Sequence, residues 1–591
     1  MGEISDDRQT AATGPARGPD PPGGEAPVVG PLVRGLTVLR AMARPGCHRL
    51  RPSDLVHATG LARATVDRVV GTLVRLDLLR AAGRDVEITP RLLAFGNAYL
   101  AGCGIADALE PFAERLADEL DESVSVAVPD GTGVRFVTQV IRRRAMTPVF
   151  RIGDLLPADR CAAGMVLGRD APEWAVDDQR MEQGLIAVAV PVRDSGGRRI
   201  CGVSVVSNTG RHTAGSLTAT ALPRLRALLP AMEAAVAGAL SGPPLPRPGA
   251  GTRPAGAARS AATVPGPGPA PRAEPAPHGP APADPAPHES APHEPAPDVL
   301  AAKRELGAGF LQSLARGLDV LAVLGRDPRG LTLSAAAEAT GQPRATARRA
   351  LLTLQHLGYV TSQERRFRLL PRVLELGYAH LSGLDFTDIV QPHLERLAER
   401  VHESASVAVL DGHDIRYVAR VPTYRIMSVN ITVGTRFPAT ATSMGRVLLA
   451  GLAPGERAAL LARAAPRRYT DRTVTDPAAL AALLDDVAEQ GHALVDEELE
   501  KGLRALAVPL RDGAGRTVAA LNVSTYTGRG SREESRARLL PALAETAADI
   551  GDELRIAFER RPLRPGGLPA PAPARSRGRE GISAAAPRRR P

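Results

Sequence analysis

Two short runs carry the residue types that meet nucleic acid. ARATVDRVV, starting at Ala62, presents Arg63, Thr65 and Arg68; PRATARRALL, starting at Pro343, presents Arg344, Thr346, Arg348 and Arg349. An arginine donates twice to a guanine edge or clamps a phosphate, and a threonine meets a base edge, a methyl group or a phosphate. Apolar residues recur in the first run at Val66, Val69, Val70, Leu73 and Leu76, and in the second at Ala347, Ala350, Leu351, Leu354 and Leu357. That spacing is one stripe of a helix and belongs against a core. The arginines are therefore left outside, near the helix start, where the second helix of a helix-turn-helix enters the major groove. Asp67 stands where the second run has Arg348, so the second reader is expected to hold phosphate more strongly. A merely solvated face is the competing reading; it weakens because the triplet RAT occurs twice, each time after a turn glycine.

Other chemistries find less support. Asp496, Glu497 and Glu498 form an acidic run, but no nucleophile or base accompanies them, and the first copy has Asp178, Gln179 and Arg180 there. A solvated charged edge is expected, not acid/base catalysis. Ser443 lacks the setting of a nucleophile elbow. His278, His288 and His293 are irregularly spaced among prolines and read as solvated linker. Cys47, Cys103, Cys161 and Cys201 are scattered without a CxxC pair, which argues against disulfides and thiolate metal sites and suits a reducing cytoplasm. No catalytic residue, metal site or cofactor is expected, and the chain is not read as an enzyme.

The elements that position the two arginine runs repeat as well. Each copy opens with a short helix, LVRGLTVLRAMA or LARGLDVLAVLG. Ser53 or Ser334 is expected to cap the next helix, which ends in Thr59-Gly60 or Thr340-Gly341. Gly60 and Gly341 suit the positive φ of a tight turn. After the arginine helix, LLRAAGRDVEI and YVTSQERRFRL read as two strands around a polar tip. Such a wing would bring Arg84, or Arg365, Arg366 and Arg368, to the DNA backbone or minor groove.

The self-similarity extends far beyond these heads. ITPRLLAFGNAYLAG answers LLPRVLELGYAHLSG, and EPFAERLADELDESVSVAVPDG answers QPHLERLAERVHESASVAVLDG, at an offset of 281 that holds to Gly164 and Gly445. GLIAVAVPVRD and GLRALAVPLRD then match at 318, so the first copy lacks 37 residues, including the counterpart of AALAALLDDVAEQG. With 591 residues, two or more cores are expected. The reading is residues 1–30 as a disordered N-terminus, 31–105 and 309–385 as winged helix-turn-helix heads, and 106–240 and 386–560 as sheet domains, the first truncated. Residues 241–308 form a Pro/Ala-rich linker, and 561–591 a disordered basic tail. A linker of about 60 residues spans roughly 40 Å, enough for half-sites about 34–36 Å apart. The net charge of +10 owes +7 to the tail, where eight arginines face only Glu580, so DNA binding has to be argued from local motifs. No stretch of 18 apolar residues runs uninterrupted by charge and no signal-like start is present, so a soluble, non-exported chain is expected.

In the sheet domains, SVAVLDGHDIRYVARV and ALAVPLRDGAGRTVAALNVST alternate as strand, turn and strand, with HLERLAERV and AALAALLDDVAEQG as helices. The order TGxPRATxxRxLxTLxxLGYV, wing, PRxLELG, FPATATSMGRVLLA, LVDEELEKGLRALAVPLRD and AALNVSTYTGR resembles the IclR family of bacterial transcriptional regulators. The resemblance covers nearly all of 309–560 and, with the gap, 31–240. Within the family the second copy is similar to the branch governing protocatechuate, 4-hydroxybenzoate and the β-ketoadipate pathway.

The resemblance implies an α+β chain: two copies of a winged helix-turn-helix plus a GAF-like α/β effector domain, joined by a disordered linker. It carries the effector pocket onto Ser443, Met444, Ala505, Asn522 and Ser524. Many members have Cys or Ser at Ala505, and an alanine there suits an aromatic ring. The matching positions of the first copy are Ala162, Ala163, Ala187, Ser204 and Val206, so that domain is expected to be a degenerate packing partner. The implied partners are a double-stranded DNA operator, a small carboxylate or aromatic acid effector, further copies of the chain in a homo-oligomer, and RNA polymerase, with no membrane; the implied location is the cytoplasm, at the nucleoid. The implied role is control of aromatic-acid catabolism; control of another carbon or secondary-metabolism pathway, or ligand sensing without specific DNA binding, are the alternatives.

Overall fold

The computed structural model describes residues 28–142, 150–168, 170–241, 309–327, 329–423, 431–464 and 466–560. The N-terminal segment before Val28, the linker with its three histidines and the tail from residue 561 lie outside the described residues.

The first head consists of α1 (Gly30–Met42), β1 (Arg49–Leu50), α2 (Pro52–Thr59), α3 (Arg63–Arg75), β2 (Leu79–Ala82) and β3 (Asp85–Ile88). A connecting helix α4 (Leu93–Cys103) leads to α5 (Ile105–Leu120), β4 (Ser123–Asp130), β5 (Gly133–Val140), β6 (Leu155–Pro157), α6 (Ala162–Met165), β7 (Ala175–Asp178), β8 (Leu185–Arg193), β9 (Arg199–Asn208) and α7 (Ala214–Ser241). The second head has α8 (Gln312–Val323), β10 (Leu331–Thr332), α9 (Leu333–Ala339), α10 (Arg344–His356), β11 (Val360–Gln363) and β12 (Arg366–Leu369). After α11 (Tyr378–Leu381) come α12 (Phe386–Val401), β13 (Ser404–Asp411), β14 (Asp414–Val421), β15 (Arg436–Pro438), α13 (Ser443–Ala450), α14 (Pro454–Arg463), α15 (Pro477–Gln490), β16 (Ala493–Asp496), β17 (Leu503–Arg511), β18 (Thr517–Tyr526) and α16 (Arg532–Ala557). The deficit of the first copy falls between α6 and β7, where nothing corresponds to α14 and α15.

Each head ends in a three-stranded wing, ordered β1-β3-β2 or β10-β12-β11. Gly60 and Gly341 take φ of 67° and 61°, as the tight turn requires. The expected serine caps are corrected. Both helices begin two residues earlier than the capping reading needs, so Ser53 and Ser334 lie inside the first turn. Thr332 accepts from the Ala335 N–H at 3.2 Å, and in the first copy the Asp54 carboxylate accepts from the Arg51 N–H at 3.1 Å.

Each sheet domain is a six-stranded antiparallel sheet, β6-β5-β4-β9-β8-β7 and β15-β14-β13-β18-β17-β16. The long helices α5 and α7, or α12 and α16, cover one face. In the second domain that face has its own core, with Val407, Val409, Leu506, Leu521 and Val523 against Leu394, Leu543 and Leu554.

The heads are not held apart by the linker; they pack on one another through α1 and α8. Leu314 lies over Gly35 and Leu32 over Gly317, so close that a Cβ on either glycine would fall 2.2 Å or 2.6 Å from a leucine methyl. The Val29 N–H donates to Thr353 Oγ1 at 3.0 Å and the Leu311 N–H to Thr72 Oγ1 at 2.9 Å. These contacts are reciprocal, as in a dimer with a two-fold axis. Consequently the spacing of the two readers is set by packing, not by chain entropy. One apolar core runs through both heads and the first sheet domain. Among the described residues no single helix is long and apolar enough to cross a membrane.

Candidate DNA interface and effector cavity

On α3 and α10 the apolar stripe is buried as its spacing implies: Val66, Val69 and Leu73, like Ala347, Leu351 and Leu354, are fully inaccessible. Arg63, Arg68, Arg344, Arg348 and Arg349 are exposed at the helix starts, and Thr65 and Thr346 are half-buried beside them. The two faces differ in charge. Arg63 Nε lies 3.6 Å from the Asp67 carboxylate, whereas Arg348 occupies the corresponding place on α10. On the wing, Arg366 donates to the Gly330 carbonyl at 2.8 Å and sits 4.0 Å from Asp327, with its side chain 42% exposed. Arg365, at the tip, and Arg368 are exposed.

The other face of the second sheet bears a cavity of about 710 Å³. Ser443, Met444, Ala505, Asn522 and Ser524 all line it. Ser443 comes from the start of α13, where Thr442 Oγ1 accepts from the Gly445 N–H at 3.2 Å. Asn522 and Ser524 share one face of β18. Ser443 Oγ donates to Asn522 Oδ1 at 3.0 Å, and Asn522 Nδ2 donates to Ser524 Oγ at 2.8 Å, giving a polar row across the cavity floor. Asn522 is 1% exposed, so ordinary solvent-facing strand polarity does not describe it.

Sequence reasoning missed the rest of the lining: Ser406 and Arg420, which continue the row of Asn522 across β13 and β14, with Tyr417 and Phe437. The β13–β14 register shifts between Val407 and Ala408, where an extra residue, Val418, enters β14. Simple alternation would put Tyr417 and Arg420 on opposite faces; the bulge puts both toward the cavity. Burial lowers the Arg420 pKa, and burial pushes Tyr417 up to about 12 against the opposing influence of Arg420. Tyr417 meets Phe437 edge to face, with centroids 6.0 Å apart. At the rim, Glu403 accepts from Thr525 and Arg529 at 2.8 Å and 2.7 Å.

The acidic run is corrected. Asp496 and Glu498 are 6% and 8% exposed, not solvated. Arg446 holds Glu498 through two contacts of 2.8 Å and 2.5 Å, and Arg504 donates to Asp496 at 2.7 Å. Because Glu498 also accepts from the Val474 N–H, the pair ties α13 to the chain segment before α15 and to the turn before β17 that walls the cavity.

In the first copy the corresponding face is lined by apolar side chains. Phe136 and Phe150 stack with centroids 5.2 Å apart, and Phe150, Leu167 and Met181 pack against Ala127, Ala162, Ala163, Ala187 and Val206. Gln139 replaces Arg420, and Met165 and Arg180 replace Arg446 and Glu498. Among the described residues no His, Cys, Asp and Glu cluster could hold a metal ion.

Two winged heads, each followed by an antiparallel sheet domain, define the class of transcriptional regulators that couple a DNA-reading head to a sensory domain. Models of the IclR helix-turn-helix domain match residues 31–83 and 313–364, and of the bacterial transcriptional regulator IclR C-terminal domain residues 97–173 and 378–552. The chain is 45% identical over 246 residues to the Pca regulon regulatory protein of Pseudomonas putida, spanning 42% of this chain and 84% of that protein. It is 35% identical over 246 residues to the p-hydroxybenzoate hydroxylase transcriptional activator of Acinetobacter baylyi, spanning 41% and 91%. A crystal structure of a regulator from Rhodococcus sp. RHA1 is 52% identical, covers 42% of this chain and 99% of its own, and superposes with a TM-score of 0.40. The chain belongs to the IclR family, in tandem form, and is an IclR-type transcriptional regulator.

Proposed function

We propose that this regulator binds one aromatic acid per chain, in the second sheet domain, and thereby controls genes of aromatic-acid catabolism. The observation that carries this reading is the cavity itself. The hydroxyl and amide row of Ser443, Asn522 and Ser524 shares the cavity with Arg420, a match for a carboxylate and a phenol, while Tyr417, Phe437 and Met444 supply surface for a ring. The names of the Pseudomonas and Acinetobacter relatives point the same way. The first domain, lined by apolar side chains at its pocket positions, serves as a packing partner without ligand.

The two heads act as an internal pair on one operator. Arg63, Thr65 and Arg68 read from α3; Arg344, Thr346, Arg348 and Arg349 read from α10, with Arg366 and Arg365 at the second wing. The protein has no catalytic activity, works at the nucleoid in the cytoplasm, and assembles further copies and contacts RNA polymerase from this unit. Titration calorimetry with protocatechuate, 4-hydroxybenzoate and glyoxylate tests the ligand class: an aromatic acid binds at one site per chain, and Arg420→Gln or Asn522→Leu weakens it at least tenfold. Binding of glyoxylate alone overturns the aromatic reading. Mobility shift with the chain's own upstream DNA tests the second reader, which falls if Arg344→Ala with Arg349→Ala leaves binding unchanged.

A further inference from the structure

The cavity belongs to the second copy, yet the two long helices leading from it end on the head of the first. The C-terminal end of α12 runs into Glu403 and Ser404 at the cavity, and α16 begins just after Arg529 on the same rim. Further along these helices, His393 and Glu553 meet Arg80, which lies in β2 of the first head and is 9% exposed. Arg80 Nε donates to Glu87 Oε1 at 3.0 Å, and its Nη1 lies 3.7 Å from Glu553 and 3.2 Å from His393 Nε2. Arg396 Nη2 lies 2.8 Å from His393 Nδ1, and His393 Nε2 also lies 3.0 Å from Glu553 Oε2. Burial alone would raise the Glu553 carboxyl, but the contact and charge of His393, with Arg80 and Arg91, hold it below its usual value. Around this group, Arg91 reaches Asp552 at 3.7 Å, and Asn97 Nδ2 donates to the Ile556 carbonyl at 2.8 Å and to Glu559 at 3.0 Å.

The reverse junction cannot be built from the same chemistry. At the positions matching Arg80, His393, Asp552 and Glu553 the chain has Thr361, Phe112, Ala234 and Ala235. The charged seam exists once per chain, between the domain that owns the cavity and the head that is not covalently next to it. Separating one side of a buried charge cluster strands the other, so the cluster moves as a unit or comes apart at a cost. Stiff helices carry a displacement at one end to the other.

We propose that occupancy of the second domain's cavity is transmitted across the duplication to the first head, through Arg80, His393 and Glu553. The ligand side of this inference rests on the effector reading above; the mechanical side does not. Hydrogen exchange of the full-length chain separates them. Cavity occupancy is set in two ways, with saturating protocatechuate and with Ala505→Phe, which grows into the empty volume. Each is expected to change exchange across β2 to α4 of the first head by about fivefold or more, the lower end of ordinary coupling between sites. In the variant Arg80→Thr, His393→Phe, which borrows residues the fold already uses at the matching positions, that response is lost while β13 and β18 still respond. If Ala505→Phe alters the first head and protocatechuate fails to protect β13 and β18, the ligand assignment falls and the transmission stands. If neither treatment alters the first head, or if the response survives Arg80→Thr, His393→Phe, the transmission is overturned.

Discussion

Removing the carboxylate of Glu498 tests whether the second domain depends on its buried ion pair. Arg446 and Glu498 are 4% and 8% exposed and meet through two charge-assisted contacts. In Glu498→Ala the guanidinium stays buried with the Thr440 carbonyl as its remaining acceptor, 3.1 Å from Nε. Breaking a buried pair on one side costs about 3–5 kcal/mol, far more than the pair's net worth against apolar replacements. For a domain of this size each kcal/mol moves Tm by about 2–4 °C, so the second domain should melt roughly 10 °C lower. Arg446→Met with Glu498→Gln, which removes the stranded charge while keeping an acceptor for Val474, should recover more than half of the loss. The molecule supplies its own control. Its one tryptophan, Trp174, lies in the first sheet domain, whose core is continuous with the heads and separate from that of the second domain. Far-UV dichroism should therefore lose its second-domain step early while Trp174 fluorescence keeps its midpoint. A shift below about 3 °C, or a double variant no better than the single one, refutes the reasoning.

Two further outcomes follow from charge. Asp67→Arg removes the carboxylate beside Arg63 and gives α3 the cation α10 already has, so the slope of log K against log salt should steepen by about 1–2, while Arg348→Ala should flatten it by about 1; unchanged slopes would place these residues away from the phosphates. Burial pushes the Asp319 carboxyl up to about 6, against the opposing influence of Arg316. The folded state then holds a proton that the unfolded chain releases, and stability is lost as pH rises from about 4 to about 6, by at most about 3 kcal/mol. Asp319→Thr, the residue type of the matching Thr37, should raise stability at pH 7 and leave it unchanged near pH 4; equal gains at both values would exclude the titration.

What the chain disclosed by sequence was whatever depends on local spacing. The stripe from Val66 to Leu73, the turn glycines Gly60 and Gly341, the strand alternation and the jump in offset between copies are all written in neighbouring residues. Contacts that join distant segments were not. Arg420 was hidden because a single inserted residue in β14 reverses the face that alternation assigns. Asp496 and Glu498 read as solvated because their arginine partners are remote in sequence or lie on another element, and a charge reads as solvated until its partner is known. Arg80 lies in the wing segment and was given no role from sequence; its partner His393 is 313 residues away. The first domain was expected to be a degenerate packing partner; the deficit lies between α6 and β7, and Phe150, Leu167 and Met181 pack against the alanines at its pocket positions.

A duplicated chain can do something that two identical chains cannot. In a symmetric dimer a residue at the two-fold axis meets itself, and any change is made on both sides at once. Here the matching positions Asn97 and Tyr378 meet across the junction: Tyr378 Oη donates to Asn97 Oδ1 at 2.8 Å, which frees the Asn97 amide for the end of α16. A tyrosine on both sides would offer two hydroxyls and no amide, and an asparagine on both sides would leave the space that Tyr378 fills over Gly96. The same freedom separates Arg80 from Thr361 and His393 from Phe112. Once the two copies could differ, one sheet domain could be lined with apolar side chains without the other losing its cavity, and one head could be tied to that cavity without its twin. The reciprocal contacts Leu32 to Gly317 and Leu314 to Gly35 remain where symmetry still serves both heads equally, at the seam that fixes their spacing. At the seam between head and sheet domain, the positions matching Arg80, His393, Asp552 and Glu553 have diverged, and there the two copies would be asked to do different things.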